Sequence, residues 1–436
     1  MGTPTAHPLE HVYPDEPQPG HQATRRVELD WLRMLVVLAT IPFHAVPIIG
    51  ASRTVLMVSA ESNPLLMILG GFVLTWGIPL IFLMSGAAAK LALDVRPPGA
   101  YMRERLLRLG VPLLLMLFLL SPIQIYFILL SNPSLIQMGP KYGITITFPE
   151  PERIGDFLYF YQQYLHFLFT SVRGFTPLID SLILGHLWFV PRLLVVSFVS
   201  LPLLLYLRGR GRGMTERLTA TAAAHPAVLL LGGALVPAVL VALLQPGWLN
   251  RLMAGWAFTD DWPAFSLNLV MFLYGTLIYS SERLCATVRA QAIPALTLGV
   301  VCAGIVVTLI LLGRAPAIGY SPASLLFVLA ETLMAWLPVL ALLGLAMRYL
   351  TVSTPVQRYL SDAVFPVFVL HGPLLTASSY YVLQLPLPAI VQLVLVLIVT
   401  VAGAFGIYEY VVRRTPVTRL LFGVKATQAA KPALRG

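Results

Sequence analysis

Residues 28–47 read Glu-Leu-Asp-Trp-Leu-Arg-Met-Leu-Val-Val-Leu-Ala-Thr-Ile-Pro-Phe-His-Ala-Val-Pro. From Trp31 to Gly50 the clearly polar residues are Arg33, Thr40 and His44, and such a run crosses a bilayer, which needs about 20 residues. An ionisable side chain inside a membrane segment is costly and usually functional. Arg33 and His44 are eleven residues apart. At about 100° and about 1.5 Å per residue they differ by roughly 20° in direction and about 16 Å in depth. The stretch predicts a membrane helix with one chemically active face at two depths, and Asp30, one turn before Arg33, is able to pair with it.

Composition extends this reading to the whole chain. Of 436 residues 58% are hydrophobic and 11% charged, with a mean hydropathy of +0.81, whereas soluble domains carry about 25% charged residues. The predicted class is an all-α polytopic membrane bundle. Apolar runs recur near 31–50, 66–93, 110–130, 183–207, 226–244, 263–280, 294–313, 323–347, 359–383 and 389–412, about ten spans. The net charge of +10 does not point to nucleic acid, because the basic residues sit in short clusters between apolar runs, where they orient helices. Placing the N-terminus in the cytoplasm puts 22 of the 29 basic residues inside, among them Arg25, Arg26, Arg33, Arg103, Arg105, Arg108, Arg208, Arg210, Arg212 and Arg217, and predicts that both termini are cytoplasmic.

Residues 1–24 hold Pro, Gly, His and Gln but no apolar run, and read as a disordered cytoplasmic tail rather than a signal peptide. The membrane domain is expected over 25–425, followed by a second tail over 426–436. Two cysteines, Cys285 and Cys302, lack the number and spacing of a zinc site or a disulfide framework. No metal is expected. The longest outside segment, about 131–181, contains Phe157-Leu-Tyr-Phe-Tyr-Gln-Gln-Tyr-Leu-His-Phe. Interfacial anchoring by an amphipathic helix is favoured there over a sugar-binding platform.

Four polar sets could carry chemistry. Arg33 and His44 form the first, with His44 in the outer half of the bilayer, where a general base could serve an acceptor from outside; a membrane histidine is as often a helix–helix hydrogen-bonding residue. The second is Arg103, Arg105 and Arg108 at the inner mouth of the third span, readable as topology and lipid headgroup contact or as a phosphate clamp, since arginines at i and i+3 present two forks on one face. His186 with Arg192 is the third. His371 in Val-Phe-Val-Leu-His-Gly-Pro, with Glu331 in the preceding span, is the fourth. Three histidines and a glutamate converging in the outer half of one bundle are harder to explain as packing than any one of them.

Arg-x10-His on the first span, Pro-Leu-Ile-Phe-Leu-Met-Ser-Gly (79–86), Arg-x-x-Arg (Arg105, Arg108), His-Leu-Trp-Phe (186–189) and the Tyr-Leu-Ser…Val-Leu-His block (359–371) together resemble, in order and spacing, the family 3 integral membrane acyltransferases. Within that family the chain is most similar to the glucan-modifying branch, glucan biosynthesis protein C, through Ile-Pro-Phe-His (41–44), Arg-Leu-Gly-Val-Pro (108–112) and the ending Tyr-Glu…Pro-Val-Thr-Arg-Leu-Leu-Phe-Gly (408–423). The resemblance implies a protein of the bacterial cytoplasmic membrane that moves an acetyl or succinyl group from acyl-CoA to a glucan or other glycan on the far side. It implies a catalytic role for His44, donor handling by Arg33, Arg105 and Arg108, and no metal. Glu331 and His371 are grouped with His44, His186 and Arg192 with the acceptor side, and Asp30 with Arg33. Arg192 departs from the apolar residue usual at its position. A glycan or lipid exporter without acyl transfer is the competing class, and would be expected to place charges along a through-going path.

Overall fold

The computed structural model describes residues 26–50, 64–133, 148–171, 184–244, 262–317 and 319–424. Both predicted tails lie outside them. Among the described residues the chain is all helical, without a strand. The helices are α1 (Val27–Gly50), α2 (Pro64–Val95), α3 (Pro98–Ser131), α4 (Phe157–Ser171), α5 (Gly185–Val199), α6 (Leu201–Arg208), α7 (Arg212–Ala224), α8 (Val228–Leu244), α9 (Trp262–Ile278), α10 (Glu282–Ala290), α11 (Ala292–Leu311), α12 (Pro322–Tyr349), α13 (Pro355–Val382), α14 (Ala389–Val412) and α15 (Pro416–Leu421).

Nine of the ten apolar runs fall mainly on one helix each, and the run 183–207 is shared by α5 and α6. Among the described residues six are long and apolar enough to cross a membrane (α2, α3 and α11 to α14), and three bent pairs raise that number to nine. The bends are 42° between α5 and α6, 118° between α7 and α8, and 111° between α9 and α10. Two basic stretches that read as short loops are therefore helices turned across the bundle. Polar composition suits a helix with one face on protein and one on water, and Ser281 caps α10 by accepting from the Leu284 N–H.

Burial identifies the central helix. In α13, 72% of the apolar window is enclosed, against 22% in α11 and 17% in α14. The last two expose Val300, Val301, Ile305, Ile390, Val394 and Ile398, as lipid-facing helices do. Arg33 donates to the Ser361 hydroxyl at 3.0 Å and His44 lies 3.2 Å from His371. Contacts in that order along both helices make α1 and α13 parallel.

Proline creates the local irregularities in α3. A helical proline lacks the N–H that the carbonyl four residues earlier would accept, so Pro122 frees the Phe118 carbonyl. Tyr161 on α4 supplies the missing donor at 3.0 Å, and Tyr164 donates to Leu117 O at 2.7 Å. Wide, π-helical turns occupy Leu106–Gly110 and Met116–Leu120, just ahead of Pro112 and Pro122. The aromatic stretch thus forms a helix as expected, but Tyr159, Phe160, Tyr164 and Phe167 are buried against α3 and α13 rather than offered as a platform. Phe157, Leu158 and Phe169 remain exposed.

The α2–α9 contact depends on small residues. A Cβ on Gly86 would sit 1.8 Å from the Phe272 carbonyl oxygen, and one on Gly275 would sit 1.9 Å from that of Leu83. Thr276 uses the close approach to donate to Gly86 O at 3.1 Å. Without a solvent-driven hydrophobic effect, membrane helices associate through such packing. Gly275→Ala should therefore destabilise the bundle by about 1–3 kcal/mol, measurable as a lowered thermal midpoint in detergent. Gly304→Ala, where a Cβ meets nothing within 4 Å, should leave that midpoint unchanged.

Candidate functional site

Three helices bring His44 (α1), His186 (α5) and His371 (α13) into ring contact. Ring centroids are 5.2 Å apart for His44 and His371, 4.2 Å for His186 and His371, and 6.2 Å for His44 and His186. His186 and His371 are buried; His44 is half-buried and is the member that keeps an open edge. The sequence His371-Gly372-Pro373 explains how α13 accommodates this. Pro373 contributes no N–H to the Val369 carbonyl, while α13 runs on through it as a helix. Gly372 has no side chain, and a Cβ there would sit 2.1 Å from His186 Nδ1.

One backbone atom organises the cluster. The Phe368 carbonyl oxygen lies 2.6 Å from His371 Nδ1 and 2.8 Å from His186 Nε2. A carbonyl only accepts, so both nitrogens carry hydrogen. Neutral His371 then has a bare Nε2, and the 3.2 Å contact with His44 Nδ1 requires His44 Nδ1 to be the donor. His44 Nε2 is left with a free lone pair. The series of donations thus runs from His44 through His371 to Phe368 O, and leaves an unprotonated nitrogen at its start, on the partly open ring of His44. With two nitrogens directed at one carbonyl, no group of three His, Cys, Asp or Glu side chains among the described residues is arranged to hold a metal.

The other end of α1 carries a second site. Arg33 donates to Asp30 Oδ1 at 3.1 Å and to Ser361 Oγ at 3.0 Å, which confirms the expected Asp30 pairing. Arg105 donates to the Ser85 carbonyl at 3.2 Å, with its guanidinium over the Tyr101 ring at 5.5 Å. Arg108 donates to Gly423 O at 3.2 Å and Glu104 Oε1 at 3.3 Å, and lies near enough to Arg33 and Arg105 to be repelled by both. Glu104 also pairs with Arg96. Among the contacts described, Arg33, Arg96, Arg105 and Arg108 thus gather around two carboxylates, Asp30 and Glu104. With five N–H donors per guanidinium, much donor capacity is unspent, which suits an anion with several oxygens.

The acyltransferase domain family, family 3, matches residues 26–409. The chain belongs to this family. No curated protein and no solved structure matches it. It is a membrane acyltransferase, and both sites lie within or against the matched region.

Two of the acyltransferase's expected site residues stand apart from these clusters. Arg192 is buried on α5 with its guanidinium 4.6 Å from the Trp188 ring centre, about 9 Å along the helix from His186 at about 1.5 Å per residue. Glu331 is half-buried on α12, and no described hydrogen bond or ion pair joins it to the histidines. Several groups in these sites were not singled out from sequence. Ser361, Ser85 and Glu104 hold the arginines, the Phe368 carbonyl holds two imidazoles, and Gln124 on α3 is a buried amide beside Gly372 and His186. Gln124 did leave a signal, as an amide inside the apolar run 110–130.

If His371 orients His44 through the shared hydrogen bond, His371→Phe should keep the ring volume and protein level but lower kcat by about 10²-fold, whereas His44→Ala should lose the full proton-transfer contribution, about 10²–10⁴. Steady-state rates on purified protein check this; equal rates for His371→Phe and wild type would remove the orienting role.

Proposed function

We propose that the chain is an O-acyltransferase that takes an acetyl or succinyl group from cytoplasmic acyl-CoA and passes it to a hydroxyl of a glucan or other glycan on the outer side of the bacterial cytoplasmic membrane. The observation that carries this reading is the bare Nε2 of His44, left free by hydrogen bonds that end on Phe368 O, on the same helix as the arginine site.

Arg33, Arg105 and Arg108 bind the phosphates of the donor. Asp30 and Ser361 hold Arg33 in place, and Glu104 holds Arg108. Arg33 and His44 are about 16 Å apart along α1 at about 1.5 Å per residue, comparable to an extended pantetheine arm. The arm threads outward beside α1 and presents its thioester to His44. The acceptor hydroxyl attacks the thioester carbon as its proton passes to His44 Nε2. His371 Nε2 accepts from His44 Nδ1 throughout and steadies the imidazolium. The C–S bond then breaks, and the leaving thiolate recovers the proton from His44. No acyl-enzyme or carrier lipid is needed. His186, Arg192 and Glu331 lie on the acceptor side, Glu331 as a carboxyl in an apolar span, a costly position that usually marks function. Basic residues at the cytoplasmic face contact anionic membrane lipids.

If the arginines act chiefly in donor binding, Arg105→Ala and Arg108→Ala should raise the KM for acyl-CoA by about tenfold or more with a smaller change in kcat. Equal KM with reduced protein level would favour a purely topological role.

The route is tested with sealed vesicles of known orientation, supplied with labelled acetyl-CoA or succinyl-CoA on the Arg33 side and a glucan on the other. Label should reach the far-side glucan without soluble carriers. Transfer only when donor and acceptor share a side would exclude threading, and movement of unmodified glucan would point to export.

A further inference from the structure

His186 has one ring nitrogen that the mechanism above leaves idle. Its Nε2–H goes to Phe368 O at 2.8 Å, so Nδ1 is a bare lone pair, and that atom is enclosed without a partner. A second orphan faces it. Gln124 Oε1 is also enclosed and unbonded, and the Gln124 side chain makes no hydrogen bond to any described residue. The point where a Gly372 Cβ would stand is 2.1 Å from His186 Nδ1 and 2.9 Å from Gln124 Oε1, so both atoms border the same small space. Gly185, at φ +49°, borders it too, since a Cβ there would be 2.5 Å from Gln124 Nε2. Glycines from two different elements thus make room for one amide beside one imidazole.

Two facing acceptors are a poor arrangement, because a buried unsatisfied polar atom costs about 1–3 kcal/mol. The two ends of a carboxamide have nearly the same shape, so a half-turn about its last torsion exchanges them without new crowding. It puts Nε2–H on the side of the space that His186 Nδ1 borders. The oxygen then takes the place of the nitrogen, the end of the amide that is not fully enclosed.

We propose that Gln124 donates an amide hydrogen to His186 Nδ1 and offers its carbonyl oxygen to a hydroxyl of the acceptor, which makes it an acceptor-binding residue held in place by His186. This rests on the O-acyltransferase reading. His186 is then a bracket that donates to Phe368 O and accepts from Gln124, and it carries no proton during the reaction. The three histidines divide the work: His44 is the base, His371 orients it, and His186 fixes the amide that reads the sugar.

The test uses full-length protein in detergent, succinyl-CoA and acetyl-CoA as donors, and a β-linked glucose oligosaccharide as acceptor. Gln124→Met keeps the length of the side chain without its donor, and Gln124→Glu replaces the donor by an acceptor. Both should raise the acceptor KM by about tenfold while the donor KM moves by less than about twofold. The second readout needs no activity. Gln124→Met should lower the thermal midpoint by about 2–4 °C in the wild-type background and leave it unchanged in a His186→Phe background, because the bond is already lost there. Equal shifts in both backgrounds would overturn the Gln124–His186 bond. Coupled shifts with an unchanged acceptor KM would overturn the acceptor-binding role. Coupled shifts in a protein that acylates no glucose oligosaccharide would support the bond and count against the glycan reading of the function.

Discussion

The Phe368 carbonyl oxygen is the acceptor on which the histidine site depends. A helical carbonyl is normally committed to the N–H four residues on, here Gly372. Placing two imidazole N–H groups on it requires room beside the turn, which the missing side chain of Gly372 provides. The tautomers follow from this one contact. With His371 committed at Nδ1 and His186 at Nε2, His44 can only donate from Nδ1, and its remaining nitrogen becomes the free one. In a segment without water to complete unmatched bonds, a misplaced hydrogen at any step would leave a buried donor facing a donor.

The arginine site follows a different physical rule. Its guanidinium groups repel one another and are held together by carboxylates, carbonyls and a hydroxyl from several elements: Asp30 on α1, the Ser85 carbonyl on α2, Glu104 on α3, the Ser361 hydroxyl on α13 and the Gly423 carbonyl beyond α15. Because α1 and α13 run parallel and touch at both sites, the spacing between arginines and histidines is set by two rigid helices side by side, not by a loop. A fixed span between the arginine and histidine clusters suits the proposed donor, whose charged and reactive ends are far apart.

Much of this was legible in the sequence. Hydropathy located the helices, because a membrane span must be apolar over its whole length. Helical periodicity placed Arg33 and His44 on one face, and the structure agrees through their separate contacts to Ser361 and His371. The convergence of His186 and His371 with His44 followed from their depth. Glu331 was grouped with them by depth as well, but depth says nothing of direction around a helix axis, and no described bond joins it to the cluster. The Phe368 carbonyl could not be foreseen, since every residue carries a carbonyl and only the local geometry makes one special. The transverse helices α7 and α10 were hidden because short polar helices on a protein surface have the composition of loops.

The Arg108–Gly423 contact bears on the order in which the protein is made. Gly423 lies at φ +67°, and its backbone packs so closely on α3 that a Cβ would be 2.5 Å from Arg108 O. A nascent chain emerging from the ribosome would have α1, α5 and α13 in the membrane, and hence all three histidines, some fifty residues before it reaches the glycine that clasps Arg108. In chain order all three histidines thus precede the residue that closes on Arg108. A chain clipped upstream of residue 423 would keep all three histidines but lose the carbonyl to which Arg108 donates, and so would loosen one end of α1 and α3 while leaving the other end as it is.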